Sequence, residues 1–192
     1  MRRFDAVIFD MDGTLVDSSL DFRAIRRELG IPAEQGILEA LEALPRDRRE
    51  PAERRLLERE LEAARTACPA PDADGVLQTL RRAGLKLALL TRNARPSLEL
   101  AIQKLDFRFD LAWSREDGPI KPQPTSVLRA CRTMGVRPEA TACVGDFRYD
   151  VQAANAAGAV SVLLARGEPP EYAREARHVI RGLGELPGLL GV

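Results

Sequence analysis

The sequence predicts an α/β domain built on a doubly wound parallel sheet, with a small α-helical cap inserted after the first strand. Two observations predict the sheet. Short apolar runs alternate with helix-like segments along most of the chain, and several of those segments end at glycine, a common helix stop. A third observation predicts the cap, because residues 18–71 break this alternation and contain no convincing strand. The 192 residues suffice for one such domain with a modest insertion.

Strands are predicted where a compact apolar run is bounded by Gly, Asp or Asn, a pattern typical of strands buried on both faces. These runs are residues 6–9, 85–91, 140–144 and 159–164, with further candidates at 109–113 and, as an edge strand, 178–180. Helices are predicted at residues 72–83, 96–104, 124–134 and 149–157. Because strand, helix and strand repeat in this order, right-handed crossovers should produce a Rossmann-like parallel sheet.

The inserted segment is rich in Arg, Glu, Leu and Ala, and its apolar residues recur at helical spacing. Three groups each share a helical face: Phe22, Ile25 and Leu29; Leu38 and Leu41; and Leu57, Leu61 and Ala64. Four prolines should divide it into about three short helices: Pro32, Pro45, Pro51 and Pro69. An insertion here would lie over the C-terminal edge of the sheet, where open α/β folds bind ligands. We predict a core of residues 1–17 and 72–192 and a lid-like cap of residues 18–71; a subdomain that only adds stability is the alternative.

Composition and charge argue against several classes of protein. The 29 basic residues balance the 29 acidic ones. The chain therefore lacks the excess of positive charge that is typical of nucleic-acid-binding domains. The apolar runs are far shorter than the roughly 20 residues that cross a bilayer, and Asp5, Asp10 and Asp12 interrupt any signal-peptide core. We therefore expect a cytoplasmic protein with neither a nucleic-acid nor a membrane partner. The three cysteines lack C-x-x-C spacing and are expected to be reduced thiols.

Two carboxylates, Asp10 and Asp12, follow the first predicted strand, and Gly13 permits a tight turn there. If the chain turns after Asp10, both carboxylates enter one cavity, where their repulsion favours a bound cation or one protonated carboxyl. A polar turn that caps a helix, with Asp12 or Thr14 as the N-cap, is the alternative. An EF-hand calcium loop is excluded by the position of the glycine.

A second pair of acids, Asp146 and Asp150, follows another predicted strand at the spacing of one helical turn. Carboxylates at two neighbouring strand ends form an oxygen-rich site suited to Mg²⁺. The alternative is ordinary helix capping, with Asp146 as the N-cap and Asp150 in the first turn.

Two weaker signals stand at other predicted strand or helix boundaries. Thr91, Arg92 and Asn93 come between a strand and a helix and offer a hydroxyl, an amide and main-chain N–H groups to an anion. Lys121 lies in a proline-framed turn before a helix, which makes it a candidate for a fixed cation. Taken alone, residues 91–93 are more typical of an ordinary turn, and most lysines are solvated surface residues.

In order and spacing, these four segments resemble the four motifs of the haloacid dehalogenase-like hydrolase superfamily, within it the phosphoglycolate phosphatase and β-phosphoglucomutase-like group. Residues 9–18 resemble the first motif, Thr91 the second, Lys121 with Pro122 the third, and residues 145–150 the fourth. The run of residues 153–158 is also similar to that family. The resemblance extends over nearly the whole chain.

The resemblance implies Mg²⁺-dependent phosphoryl transfer through an aspartyl-phosphate. Asp10 would be the nucleophile, and Asp12 the acid that protonates the leaving alcohol and then activates water. Thr91 would donate a hydrogen bond to the phosphoryl oxygens, and Lys121 would neutralise their charge. The substrate would be a small phosphorylated metabolite.

The same resemblance implies the binding residues. Mg²⁺ would be held by Asp10, the main-chain oxygen of Asp12 and Asp146, with support from Asp150. The residues expected to bind substrate are Gly13, Thr14, Arg92 and Asn93. In the cap, five arginines are candidates to meet a second anionic group of the substrate, although a solvated helix face is the favoured interpretation: Arg46, Arg48, Arg49, Arg54 and Arg55.

The presence of Asp12 argues against dehalogenation, since dehalogenases of this superfamily lack a second aspartate there and halide leaves without a proton. A small-molecule phosphatase is therefore our leading hypothesis. A phosphosugar mutase and a catalytically silent binding or regulatory relative are the alternatives. Phe147 departs from the family pattern, which usually has a small polar residue at that position, and this departure could alter the surroundings of the metal.

Overall fold

The structure, a computed structural model, describes residues 4–18 and 20–192, so residues 1–3 of the predicted core and residue 19 of the predicted cap lie outside it. Its strands are β1 (Ala6–Phe9), β2 (Val16–Asp17), β3 (Cys68–Pro69), β4 (Lys86–Leu90), β5 (Leu111–Trp113), β6 (Thr141–Gly145), β7 (Val160–Leu164) and β8 (His178–Ile180). Six of them form one sheet in the order β5-β4-β1-β6-β7-β8. All neighbours in this sheet pair in parallel, which confirms the predicted doubly wound α/β fold.

The α-helices are α1 (Phe22–Leu29), α2 (Ile37–Glu42), α3 (Arg46–Thr66), α4 (Ala73–Arg82), α5 (Arg95–Leu105), α6 (Pro124–Met134), α7 (Arg148–Ala156) and α8 (Leu186–Leu190). The side chains of β1 alternate between two buried faces, as expected of a central strand. Val7 and Phe9 pack with α4, α5 and α8, whereas Ala6 and Ile8 pack with α6 and α7. The sheet is thus covered by helices on both sides.

The inserted segment leaves and re-enters the core through β2 and β3, which pair antiparallel. Between them, α1, α2 and α3 enclose a small core of their own, formed by Ile25, Ile37, Leu41 and Leu56. Helix α1 begins because the Asp21 carboxylate accepts hydrogen bonds from two main-chain N–H groups of its first turn, both at 2.9 Å.

Two details predicted for this segment are wrong. Pro51 does not end a helix, because α3 runs through it for 21 residues; the missing N–H affects only one hydrogen bond, near the exposed start of the helix. The buried face is also displaced from the predicted one. Leu57 and Leu61 are only half-buried, whereas Leu56, Glu60, Ala63 and Ala64 are buried. The displacement arises because α3 packs against two partners, the small cap core around Leu56 and the main core at Ala64.

Within residues 4–18 and 20–192, the structure contains no helix whose length and apolar character would allow it to cross a membrane.

Candidate active site

A cavity of about 210 Å³ lies where β1, β4 and β6 end, under the inserted helices. Its core side is lined by Asp10, Asp12, residues 91–93, Lys121, Asp146 and Asp150. Its cap side is lined by Phe22, Arg26, Ile37, Leu38, Leu56 and Glu60. The fold therefore brings together eight of the ten predicted site residues, which are far apart in the sequence.

The turn after β1 places its two carboxylates in the cavity. The N–H of Asp10 donates to the Val144 carbonyl oxygen at 2.9 Å and ties the end of β1 to β6. The chain then turns around the carbonyl oxygen of Met11, which accepts main-chain hydrogen bonds from the residues that follow. Gly13 has a φ of 75°, and a Cβ atom there would overlap the Asp146 carboxylate. Glycine is thus required both for the conformation and for the close approach to Asp146.

Three carboxylates and one ammonium group form the charged centre of the site. Oxygen atoms of Asp10, Asp146 and Asp150 all lie within 4.8 Å of one another. Lys121 Nζ donates to Asp10 Oδ1 at 2.5 Å and to Asp150 Oδ1 at 2.6 Å. The Lys121 side chain is only 7% exposed, so its charge is held among the carboxylates with little screening by water.

The pKa values reflect this crowding. Burial raises the pKa of Asp10 well above its usual range, although Lys121 opposes the shift. Burial and the nearby Asp150 carboxylate raise the pKa of Asp146 to about 6. Burial lowers the pKa of Lys121, but Asp10 and Asp150 outweigh it and raise the pKa overall. When fully ionised, the cluster therefore carries a net negative charge.

The donor set fits a divalent cation. Carboxylate oxygens are hard ligands of the kind that Mg²⁺ prefers, and three carboxylates against one ammonium leave two negative charges. Both oxygens of Asp150 already accept hydrogen bonds, one from Lys121 and one from the Phe147 N–H at 3.1 Å. Asp10 and Asp146 are therefore the two side chains best able to hold the ion, and Asp150 orients Lys121.

Asp12 stands apart from this cluster. Its Oδ1 accepts a hydrogen bond from Ser18 Oγ at 2.5 Å, and its Oδ2 accepts one from Asn93 Nδ2 at 2.6 Å. Burial raises the pKa of Asp12, whereas these two hydrogen bonds lower it. The side chain of Asp12 is thus fixed in the cavity without contacting Lys121, an arrangement suited to proton transfer. The proposed contact of its main-chain oxygen with Mg²⁺ stays a prediction.

The loop after β4 carries the second predicted motif. Thr91 is buried, and its Oγ1 accepts a hydrogen bond from the Asn93 N–H at 3.1 Å. Arg92 donates to both carboxylate oxygens of Glu39 in α2, each at 2.7 Å, and its guanidinium lies 4.5 Å from the centre of the Tyr149 ring. Arg92 therefore connects the core to the cap, and Asn93 orients Asp12.

Gly13 and Thr14 do not line the cavity, although we expected them to bind substrate. Thr14 is fully buried and its Oγ1 lies 3.5 Å from Asp146 Oδ1. The guanidinium of Arg166 donates to the carbonyl oxygens of both residues, at 3.0 Å for Thr14. The structure therefore places them behind Asp146, where they shape the turn.

Sequence reasoning missed a buried ion pair that joins the cap to the core. Glu60 of α3 is 3% exposed, and Arg115 Nη1 donates to its Oε1 at 2.6 Å. Burial raises the pKa of Glu60, while Arg115 lowers it. The signal was present in the sequence, because Glu60 lies one helical turn from Leu56 and one from Ala64, on an apolar stripe.

Two aromatic side chains, Phe147 and Tyr149, line one side of the cavity, and Phe147 is the residue that departs from the family pattern. Phe147 is 39% exposed and meets the Tyr149 ring edge to face, with ring centres 5.0 Å apart. Tyr172 also meets Phe147, and its hydroxyl donates to the Asp146 carbonyl oxygen at 3.2 Å. Phe147 thus packs against two other aromatic rings and supplies an apolar surface to the cavity.

Comparison with known proteins agrees with this geometry. Residues 4–158 match the family model described as haloacid dehalogenase-like hydrolase. An uncharacterised hydrolase of Saccharomyces cerevisiae is 30% identical over 85% of this chain and 78% of its own length. A phosphoglycolate phosphatase of Chromobacterium violaceum is 30% identical over 99% of this chain and 98% of its own. The crystal structure of a hydrolase from Pseudomonas syringae superposes with a TM-score of 0.83 at 22% identity, covering 98% of this chain and 99% of its own, which shows a shared fold.

Proposed function

The chain belongs to the haloacid dehalogenase-like hydrolase family, and from that premise we propose that it is a Mg²⁺-dependent phosphatase acting on a small phosphomonoester. The observation that carries this proposal is the charged centre, in which Lys121 bridges Asp10 and Asp150 while an oxygen of Asp146 lies within 4.8 Å of both acids. A carboxylate nucleophile needs such surroundings, because the phosphoryl group that it attacks is itself negative.

The first step is attack by a carboxylate oxygen of Asp10 on phosphorus. The bond between phosphorus and the leaving oxygen breaks, and that oxygen takes the proton of the Asp12 carboxyl. The raised pKa of Asp12 favours its holding this proton. The products of the step are an aspartyl-phosphate at Asp10 and the free alcohol.

The second step is hydrolysis of that intermediate. Asp12, now ionised, takes a proton from a water molecule whose oxygen attacks phosphorus, and the bond to Asp10 breaks. Inorganic phosphate leaves and Asp12 is again protonated, so the enzyme returns to its starting state. The hydrogen bonds from Ser18 and Asn93 keep Asp12 in place for both proton transfers.

Lys121 and Thr91 bind the phosphoryl group in this proposal. Lys121 supplies a fixed positive charge, and the Thr91 hydroxyl supplies a donor at the end of β4. Mg²⁺ bound by Asp10 and Asp146 would further offset the negative charge of the phosphoryl oxygens.

The cap end of the cavity indicates the kind of substrate. A volume of about 210 Å³ suits a small leaving group. Phe22, Ile37 and Leu38 offer apolar contacts, and Arg26 adds a cation. Arg26 donates to two main-chain carbonyl oxygens, those of Gln35 and Phe22, and forms no ion pair with a carboxylate of the described residues. A substrate with a carboxylate or second phosphate on its leaving group would supply that partner.

The test is phosphate release from a panel of phosphomonoesters by the purified protein, with Mg²⁺ and with EDTA. We expect Mg²⁺-dependent release, and a phosphoryl adduct on the peptide containing Asp10 after rapid acid quenching. The Asp10→Asn variant is the control and should show neither. A folded protein that releases no phosphate from any ester would refute the proposal, and an isomerised phosphosugar with little free phosphate would favour the mutase alternative.

A further inference from the structure

Helix α5 lacks the side chains that usually cap its first turn. Its N-cap residue, Ala94, has no side-chain acceptor, and Ser97 occupies the position where a capping box has Glu or Gln. Two carboxylates from outside the helix take this place: Glu60 Oε2, from the inserted segment, accepts the hydrogen bond of the Ala94 N–H at 3.0 Å, and Glu116 Oε2 accepts that of the Arg95 N–H at 2.9 Å. A negative charge at a helix N-terminus is favourable in its own right.

The packing of the cap does not explain why a glutamate occupies position 60. The stripe of α3 on which it lies is otherwise apolar, and a leucine there would continue it. Instead the side chain is buried and both of its oxygens are bonded, to Arg115 at 2.6 Å and to Ala94 at 3.0 Å. The Ser97 hydroxyl also donates to the Glu60 carbonyl oxygen at 3.1 Å. All of these partners belong to the core.

The partners of Glu60 surround the loop that orients Asp12. The Arg115 N–H donates to the Asn93 carbonyl oxygen at 3.0 Å, and Arg115 Nη1 also lies 3.2 Å from the Arg92 carbonyl oxygen. Asn93 itself donates from Nδ2 to Asp12 Oδ2 at 2.6 Å. Glu60 therefore fixes the main chain immediately beside the residue whose amide holds Asp12.

We infer that Glu60 is a positioning residue, which acts through Ala94 and Asn93 to hold Asp12 where it protonates the leaving group. The inference rests on the proposed function, since it assigns to Asp12 the role of general acid. Helix α3 would then do more than cover the cavity. The cap helix completes the core loop on which proton transfer depends.

A comparison of two substrates tests this role. An alkyl phosphate needs a proton on its leaving oxygen, whereas p-nitrophenolate leaves without one. Glu60→Ala should lower kcat/KM for the alkyl ester by about tenfold or more, part of the range typical of general acid catalysis, and change kcat/KM for p-nitrophenyl phosphate by less than about twofold. Glu60→Gln keeps an acceptor for the Ala94 N–H, so its kcat/KM for the alkyl ester should lie between the values of the wild type and Glu60→Ala. Glu62→Ala, an exposed site on the same helix, is the matched control and should change neither value.

Amide hydrogen exchange of residues 92–95 gives a second readout that requires no turnover. Exchange there should be at least about tenfold faster in Glu60→Ala than in Glu62→Ala, because the Ala94 N–H loses its acceptor. If Glu60→Ala does not fold, Glu60→Leu, which also removes the acceptor of the Ala94 N–H and continues the apolar stripe of α3, takes its place in both measurements. Equal losses with the two substrates, or unchanged exchange of this segment, would overturn the inference. An inactive wild type would refute the proposed function alone, and the exchange result would still decide whether Glu60 holds the loop.

Discussion

The two ends of the cavity are built on different principles. At the core end, Asp10 and Asp146 directly follow strands of the sheet, and Lys121 pairs with Asp10 and with Asp150. At the cap end, Phe22 and Arg26 belong to a short helix with its own small core, and Arg26 has no carboxylate partner among the described residues. In the proposed function, the sheet therefore holds the reacting groups, and the cap selects the leaving group.

The largest expected effect is at the core end. Asp10→Asn should lower the rate of phosphate release by at least about 10³-fold, because an amide cannot form the acyl phosphate. Asp17→Asn, at an exposed position of β2 just before the cap, should leave the rate unchanged. The measurement is kcat on the best ester of the panel, with circular dichroism to show that the variant is folded. Appreciable turnover by Asp10→Asn would mean that another group is the nucleophile.

The second prediction concerns the crowding of the carboxylates. Because the pKa of Asp146 rises from 3.8 in the unfolded chain to about 6 in the folded one, the folded state binds the proton more tightly. In EDTA, the free energy of unfolding should therefore decrease as pH rises from 4 through 6, by roughly 2–3 kcal/mol for this group. Mg²⁺ should restore this stability at pH 7.

Denaturant titrations at several pH values measure this effect. Asp146→Asn should flatten the decrease and abolish most of the stabilisation by Mg²⁺, whereas Asp106→Asn, on an exposed loop, should resemble the wild type. A metal-free protein whose stability is constant between pH 4 and 7 would contradict the prediction.

The core end could be predicted because its signals are local. Each strand is a short apolar run, and Asp10, Asp146 and Thr91 follow their strands directly in the sequence. The carboxyl ends of parallel strands meet at one edge, so these residues converge once the sheet forms. The separate position of Asp12 could not be predicted in this way, because it depends on the side chain of Asn93.

The cap end was harder to predict from the sequence, because its contacts join residues that lie far apart in the chain and share no short motif. The candidate arginines of the cap, such as Arg46, lie on exposed helix faces outside the cavity lining, and Arg46 pairs with Glu50 at 2.7 Å. The arginine of the cap that does line the cavity is Arg26, from a different helix. The partners of Glu60 and Glu39 likewise come from the core and are set only by how the helices pack.

The third prediction tests the cap end directly. Arg26→Gln should raise KM about tenfold for esters that carry a carboxylate on the leaving group, the equivalent of one charge-assisted hydrogen bond, and should leave KM for uncharged leaving groups unchanged. Arg23→Gln, on the exposed face of the same helix, is the control. If both classes of ester lose affinity equally, Arg26 supports the cap and does not recognise the substrate.

The smallest effect is expected at the contact that joins the two ends. Arg92 of the core holds Glu39 of α2 through two hydrogen bonds of 2.7 Å, but the Glu39 side chain is 44% exposed. Water screens such a pair, so Glu39→Gln should raise KM only about two- to fivefold and leave kcat unchanged. Glu42→Gln, exposed on the same helix, should behave as the wild type. A large fall in kcat would show that the chemical step requires the cap to hold Arg92. The proposal that the core performs the reaction while the cap only selects the leaving group would then be wrong.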